Sequence, residues 1–174
     1  WLLLTTISGK TIQELKTILV KKYATYEDQK KILGIFKVEG KSLFVSNILS
    51  KNYDLQTLIF NEIYYITNID IWIIANELNL PIVFITSTKL KENNKNLLSL
   101  TKPADSYIFI KCSAIQKDLP NKYSIIINND YNISSNLLSQ YINDAIENNW
   151  ISLDNYINDF KIKFKKLVVK KKDS

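Results

Sequence analysis

The sequence predicts an α+β fold with a helical first half and a small central sheet of about three to five strands flanked by helices. Residues 11–78 repeatedly show a helix-start residue followed by apolar side chains at helical spacing. Short runs rich in Ile, Val, Phe and Tyr follow at 82–86, 107–110 and 123–127. Helices first and strands later are the pattern expected of this fold class.

The first two predicted helices lie before Gly40. Thr11 followed three residues later by Glu14 is a capping-box pattern, so the first helix should begin there. A second helix is predicted over 26–36 and is broken by Gly40. The apolar residues expected to face inward from these helices are Ile12, Leu15, Ile18, Leu19, Ile32, Leu33 and Phe36.

Three further helices are predicted between Gly40 and the first strand. Residues 41–49 favour a short helix, with a strand as the alternative, and Asp54 should cap the next helix. A helix entering at 67–70 is apolar nearly all round, which predicts burial, and it should end at Pro81. The residues of 41–49 that should face inward are Leu43, Phe44, Ile48 and Leu49.

The strand runs at 82–86, 107–110 and 123–127 are continuously apolar, which predicts strands covered on both faces. Residues 88–105 are expected to form a polar loop. Residues 133–146 predict an amphipathic helix, and Ser152 should start a last short helix.

Length and charge define the domain organisation. A chain of 174 residues suits one globular domain, which we assign to 1–160. Residues 161–174 form a lysine-rich tail whose seven Lys and one Asp carry the whole net charge of +6. The tail could contact nucleic acid weakly and nonspecifically, or it could be a solvated terminus.

The composition excludes several kinds of chemistry. There is no histidine and only one cysteine, Cys112. Ser-His-Asp and Cys-His catalysis and His-based zinc or haem sites therefore cannot be built from this chain alone. We predict no cofactor, no metal site and, on balance, no enzymatic activity. No stretch reaches the roughly 18 apolar residues of a membrane span.

The residue usage points to an AT-rich source, because Lys is abundant and Arg is absent. The chain begins at Trp1 and contains no Met, so we expect it to be a piece of a longer polypeptide.

Residues 64–84 read Tyr-Tyr-Ile-Thr-Asn-Ile-Asp-Ile-Trp-Ile-Ile-Ala-Asn-Glu-Leu-Asn-Leu-Pro-Ile-Val-Phe. This segment resembles the middle of the ovarian-tumour (OTU) like cysteine protease fold, particularly its divergent versions in large DNA viruses. In that family a later strand carries the catalytic His, followed by an aromatic residue. The matching segment here is 120–126, where Tyr123 supplies the aromatic residue and Lys122 stands at the His position.

The family's nucleophile lies in an Asp-Gly-x-Cys-x-Phe motif before the first long helix. Residues 39–44 read Glu-Gly-Lys-Ser-Leu-Phe, but they precede the helix of Trp72 by only about 30 residues. We interpret this likeness as chance and expect the nucleophile segment upstream of Trp1. The resemblance therefore implies an OTU-like fold without its catalytic relay.

Candidate binding residues follow from position and from the resemblance. Tyr64 and Tyr65 precede a helix in a predicted loop and should form an exposed recognition surface. Cys112 is expected to be a small buried side chain rather than a nucleophile, and Asp70 a charge at a helix N-terminus. The remaining candidates for binding are Lys122, Tyr123, Lys161, Lys163, Lys165 and Lys166.

These observations lead to one leading hypothesis and two alternatives. The first is a non-catalytic OTU-like structural or protein-interaction domain of a larger viral protein, located in the virion or the host cytoplasm and not secreted. Its partner would be a viral structural protein or a ubiquitin-like protein. The alternatives are a deubiquitinating cysteine protease completed by upstream residues, and nucleic-acid association through the lysine tail.

Overall fold

A computed structural model describes residues 1–51, 53–86, 97–101, 107–113, 115–125 and 152–161. Within these residues the helices are α1 (Leu2–Ser8), α2 (Ile12–Ala24), α3 (Gln29–Val38), α4 (Ser42–Lys51), α5 (Leu55–Phe60), α6 (Asn68–Glu77) and α7 (Leu153–Asn158). The strands are β1 (Ile82–Thr86), β2 (Leu97–Ser99), β3 (Ile108–Cys112) and β4 (Tyr123–Ile125). The helical first half and the small sheet are confirmed, whereas the predicted helix at 133–146 lies outside the described residues.

Local capping residues begin three of the helices where the sequence predicted them. The side chains of Thr11, Asp54 and Ser152 accept hydrogen bonds from backbone N–H groups three residues ahead, at 3.1, 2.7 and 3.1 Å. Each bond satisfies an N–H group that has no partner inside its helix.

Helix α3 begins three residues later than predicted. Asp28 caps it by accepting from the backbone N–H of Lys30 at 3.1 Å, so residues 26–28 precede the helix. Helix α1 was not predicted at all. It ends at Gly9, whose φ of 69° gives the left-handed conformation typical of a helix terminus.

The end of α6 has a different cause from the one predicted. The helix ends at Glu77, and Asn79 adopts a positive φ of 53° before Pro81 is reached. The backbone N–H of Leu80 donates to the carbonyl of Ala75 at 2.9 Å, which satisfies one of the last carbonyl groups of the helix.

The sheet has the order β2-β1-β3-β4 among the described strands. Strands β1 and β3 are parallel, in register from Ile82 with Ile108 to Thr86 with Cys112, and the outer pairs are antiparallel. The predicted pairing of 82–86 with 107–110 is therefore confirmed. The predicted loop at 88–105 is wrong at 97–99, because these residues form β2 and pair with β1.

The prediction that the strands are covered on both faces is only partly right. In β1, Ile82, Val83 and Phe84 are buried. In β4, Ser124 and Ile125 are exposed, and Ile125 keeps 43% of its surface accessible. The continuous apolar pattern thus indicated burial correctly for the central strand and wrongly for β4.

The core lies between the helices and the sheet. Helix α6 is buried on nearly all sides, as predicted, and packs against α2 and α7. Leu15, Leu19 and Phe44 also face inward. Ile12 and Leu43 were expected to do so but are 40% and 56% exposed, because each lies in the first turn of its helix at the surface.

No helix in the described part of the chain combines the length and hydropathy that crossing a membrane requires.

Candidate functional site

An ion pair lies inside the helical half, where apolar packing would be expected. The Lys41 Nζ lies 2.5 Å from the Asp70 Oδ2, and both side chains are completely buried. Lys41 directly precedes α4, and Asp70 lies in the first turn of α6. The pair therefore joins the N-termini of α4 and α6 through two residues that are 29 positions apart in the chain.

Two tyrosines complete the hydrogen bonding of this ion pair. The Tyr64 hydroxyl accepts from Lys41 Nζ at 2.7 Å and donates to the Asp70 carboxylate at 2.8 Å. The Tyr23 hydroxyl donates to Asp70 Oδ1 at 2.6 Å. The backbone N–H of Thr67 donates to Asp70 Oδ2 at 2.9 Å, as half of a capping box.

A second buried carboxylate, Glu39, lies beside this group. Its Oε1 accepts from the Thr67 hydroxyl at 2.6 Å and from the backbone N–H of Ile69 at 3.0 Å. Glu39 thus binds the first turn of α6 from the end of α3. We call Tyr23, Glu39, Lys41, Tyr64 and Asp70 the buried polar cluster.

Burial dominates the electrostatics of the buried polar cluster. It raises the pKa of Glu39 to about 7, although the hydrogen bonds from Thr67 and Ile69 and the charge of Lys41 act in the opposite direction. Burial lowers the pKa of Lys41, and Asp70 opposes that shift. Burial followed by the charge of Asp70 raises the pKa values of Tyr23 and Tyr64.

Aromatic rings enclose the lysine within this cluster. The Lys41 Nζ lies 4.2 Å from the ring centroid of Phe36 and 4.5 Å from that of Tyr64. Cation–π attraction of this kind strengthens when water is excluded. Since Lys41 has no accessible surface, we assign the cluster a structural role in positioning α4 and α6 rather than a role in binding a ligand directly.

The residues between α3 and α4 are buried and lie beside the loop that joins β3 to β4. Gly40 has a φ of 90°, and a Cβ atom built on it would lie 2.6 Å from the carbonyl oxygen of Gln116. Its own carbonyl accepts from the backbone N–H of Asp118 at 2.7 Å. Gly40 therefore allows both the turn and the close approach of the loop.

Asp118 also caps helix α4 from across the fold. Its Oδ1 accepts from the backbone N–H of Leu43 at 2.7 Å, although the two residues are 75 positions apart. Lys41, the residue at which a capping side chain would normally stand, is occupied by its ion pair with Asp70. The β3–β4 loop thus supplies the hydrogen bond that the local sequence cannot.

The two tyrosines predicted to form an exposed surface behave differently. Tyr64 is only 2% exposed, so the prediction of exposure is wrong for it: its hydroxyl is held inside by Lys41 and Asp70. Tyr65 is half-buried, lies 4.9 Å from the ring of Phe44, and its hydroxyl is 3.4 Å from the carbonyl oxygen of Gly40.

The other predicted binding residues are divided between the β3–β4 region and the tail. Lys122 is exposed, and its backbone N–H donates to the Ser113 hydroxyl at 2.8 Å. Tyr123 is half-buried and donates from its hydroxyl to the side-chain oxygen of Asn68 at 2.7 Å. Lys161 is exposed. Lys163, Lys165 and Lys166 lie outside the described residues.

Cys112 is buried at 1% exposure, as predicted. Burial followed by the charge of Glu39 raises the pKa of its thiol to about 12, which disfavours the thiolate that nucleophilic or metal-binding chemistry needs. Within the described residues, no three His, Cys, Asp or Glu side chains come together as a metal site would require.

Sequence reasoning missed Lys41, Glu39 and Asp118. A signal existed for the first two, because Glu39 and Lys41 are charged residues flanking a glycine between the apolar runs 32–36 and 43–45. Asp118 had no comparable signal, since its partner is distant in sequence.

Comparison of the chain with protein-family models, curated proteins and solved structures gave no significant match.

Proposed function

We propose that the chain is a non-catalytic OTU-like domain of a larger viral protein. In that protein it acts as a structural or protein-interaction module, in the virion or in the host cytoplasm. The observation that carries this proposal is the arrangement of residues 39–44 and 120–125, the described parts of the two segments that were compared above with the catalytic motifs of that family. In both segments a residue unsuited to catalysis stands at the catalytic position.

The contact made by Gly40 supports the resemblance of residues 39–44 more strongly than sequence alone did. Ser42, at the position of the nucleophile, is the first residue of α4. Gly40 is hydrogen-bonded to the β3–β4 loop, and that loop leads directly to Lys122, at the position of the histidine. Two motifs that would have to cooperate in catalysis thus lie on neighbouring segments. This proposal therefore has two candidates for the nucleophile's place, Ser42 and a residue upstream of Trp1.

The side chains at these two positions support a loss of catalysis. A serine hydroxyl is a weak nucleophile unless a general base takes its proton. Lys122 is exposed and supplies no imidazole at the position where the family carries its catalytic His. A domain of this kind retains its surfaces and can bind a ubiquitin-like protein or a viral structural protein without cleaving it.

The test is to incubate the longest natural form of the protein with ubiquitin chains and with a ubiquitin probe that traps reactive cysteines. We expect neither cleavage nor an adduct. A double variant, Ser42→Cys with Lys122→His, should form the adduct, and each single substitution is its matched control. If no variant reacts, the placement of Ser42 and Lys122 at the family's catalytic positions is contradicted. Cleavage by the natural protein that depends on an upstream cysteine would support the deubiquitinase alternative instead.

The charge distribution favours a second, separate activity of the tail. Residues 161–174 hold seven of the 23 lysines and only one acid, and Lys161 is exposed. Such a segment binds nucleic acid nonspecifically, with strong salt dependence. Deleting 161–174 should abolish retention of duplex DNA at low salt, and binding that persists after the deletion would rule out the tail.

A further inference from the structure

Four large apolar side chains are exposed on the two segments that meet at Gly40. Val38 and Leu43 flank the α3–α4 turn and are 53% and 56% exposed. Ile115 and Leu119 belong to the β3–β4 loop and are 46% and 52% exposed. We call these four side chains the junction patch. Single exposed apolar residues are ordinary, but four on two adjoining segments indicate a contact surface.

The junction patch is held in a fixed arrangement by backbone contacts. Asp118 joins the segments twice, through its N–H to Gly40 and through its carboxylate to Leu43. Its φ of 56° is in the left-handed region, which a residue other than glycine adopts at a cost of about 1 kcal/mol or more. Neighbouring contacts hold Asp118 there, so this part of the loop is positioned against Gly40 and Leu43 before any partner binds. Such pre-organisation reduces the entropy lost on binding.

The charges around the junction patch are predominantly positive. Lys117 and Lys122 are exposed, and Lys37 is half-buried beside Val38. The carboxylate on these segments that is not buried, Asp118, is already engaged by the Leu43 N–H. A partner with acidic side chains around an apolar contact is therefore complementary. A second copy of this chain would bring lysines against lysines in a symmetric interface, which disfavours self-association.

From this geometry we propose that the junction patch binds a partner protein through a segment with two or more large apolar side chains flanked by Asp or Glu. This inference rests on the proposed function as an interaction module and specifies the surface and the chemistry of the partner. The apolar side chains would cover Leu43 and Ile115, and the acidic residues would face Lys117 and Lys122.

The test uses a displayed library of random 16-residue peptides selected against the whole 174-residue chain. We expect enrichment of peptides that combine Leu, Ile, Val or Phe with Asp or Glu. Affinity of the selected peptides should fall at least tenfold in Leu43→Glu and in Ile115→Glu, because each change removes an apolar contact and adds a repelling charge. Ile63→Glu is the matched control, since Ile63 is also an exposed isoleucine, at 63%, but lies between α5 and α6. Unchanged thermal unfolding of all three variants would show that each remains folded.

Several outcomes would overturn the proposal: no enrichment, enrichment of basic peptides, or equal losses in Ile63→Glu and the two patch variants. The proposed function fails separately. Cleavage of ubiquitin chains by the natural protein would refute the non-catalytic assignment while leaving the junction patch intact. Conversely, unaltered peptide binding by the patch variants, together with absent cleavage, would refute only the docking surface.

Discussion

The buried ion pair makes opposite predictions for the pH dependence of two variants. Lys41→Met leaves the carboxylate of Asp70 buried without its cation, although Tyr23, Tyr64 and the Thr67 N–H still donate to it. Asp70→Asn leaves the ammonium group of Lys41 buried with the Tyr64 hydroxyl and two aromatic faces. Removing one member of a buried ion pair typically costs about 3–5 kcal/mol.

The proton equilibria limit these costs. An aspartic acid with an ordinary pKa near 3.9 can be kept neutral at pH 7 for about 4 kcal/mol, and a lysine with an ordinary pKa near 10.4 for about 5 kcal/mol. A buried charged group that has lost its partner becomes neutral when protonation or deprotonation costs less than keeping the charge buried. The limit for the carboxylate falls to about 1.5 kcal/mol at pH 5, and the limit for the ammonium falls to about 2 kcal/mol at pH 9.

The loss of unfolding free energy in Lys41→Met should therefore grow as the pH rises from 5 to 7.5. In Asp70→Asn it should shrink as the pH rises from 7 to 9. The double variant should lose less than the sum of the singles by at least about 1.5 kcal/mol, with little pH dependence from this site. Urea unfolding followed by tryptophan fluorescence and circular dichroism measures all three. Additive losses without opposing pH trends would refute the ion pair as described.

Three other substitutions test the surroundings of the buried polar cluster. Glu39 has a pKa of about 7 against an ordinary 4.5, so it takes up a proton on folding, and the natural chain should lose about 3 kcal/mol of stability as the pH rises from 4.5 to above 7. Glu39→Gln should remove that part of the pH profile in urea unfolding, and an unchanged profile would show that another group causes it. Gly40→Ala should lower the unfolding free energy by roughly 2–4 kcal/mol through backbone strain and the clash with the β3–β4 loop. Gly9→Ala is the control: Gly9 has a φ of 69° and open space around it, so the loss should be only about 1 kcal/mol. Equal losses in thermal unfolding would contradict the close contact at Gly40. Asp118→Ala should lower the unfolding free energy by about 2 kcal/mol, because the helix cap is lost and alanine is strained in the left-handed backbone. Asparagine tolerates that backbone and can still accept the hydrogen bond from the Leu43 N–H, so Asp118→Asn should cost well under about 1 kcal/mol. Indistinguishable melting curves of the two variants would refute capping by Asp118.

The parts of the fold that could be read from the sequence depend on interactions over a few residues. Thr11, Asp54 and Ser152 each bond to a backbone group three positions ahead, so a short pattern contains the whole interaction. The all-round apolar composition of α6 likewise predicts its burial without knowledge of its neighbours.

The parts that could not be read depend on contacts between distant segments. Tyr64 looked like an exposed loop residue because its partners, Lys41 and Asp70, are identified only when α4 and α6 are placed together. Lysine is so frequent in this chain that no single lysine is informative by its type. Asp118 caps a helix 75 positions away, which no local pattern records.

Neighbouring residues 41 and 43 reverse the usual placement of charged and apolar side chains. Lys41 is fully buried and Leu43 is 56% exposed. We therefore expect substitution by Gln to destabilise the protein more at the lysine than at the leucine, the reverse of what the hydropathy of the two side chains suggests. Lys41→Gln should lower the unfolding free energy by about 3 kcal/mol or more, because Asp70 loses its cation, whereas Leu43→Gln should change it by less than about 0.5 kcal/mol.

Urea unfolding of the two glutamine variants side by side measures this difference. A large loss in Leu43→Gln would mean that the leucine is packed within the domain, and the junction patch would then lose one of its members. A small loss in Lys41→Gln would mean that the ion pair contributes little to stability. The expected result would mean that the Leu43 side chain contributes little to the stability of the fold. The Asp118 carboxylate accepts a hydrogen bond from the backbone N–H of Leu43 and so fixes the position of an exposed leucine. A binding surface that is organised before its partner arrives requires such fixed positions.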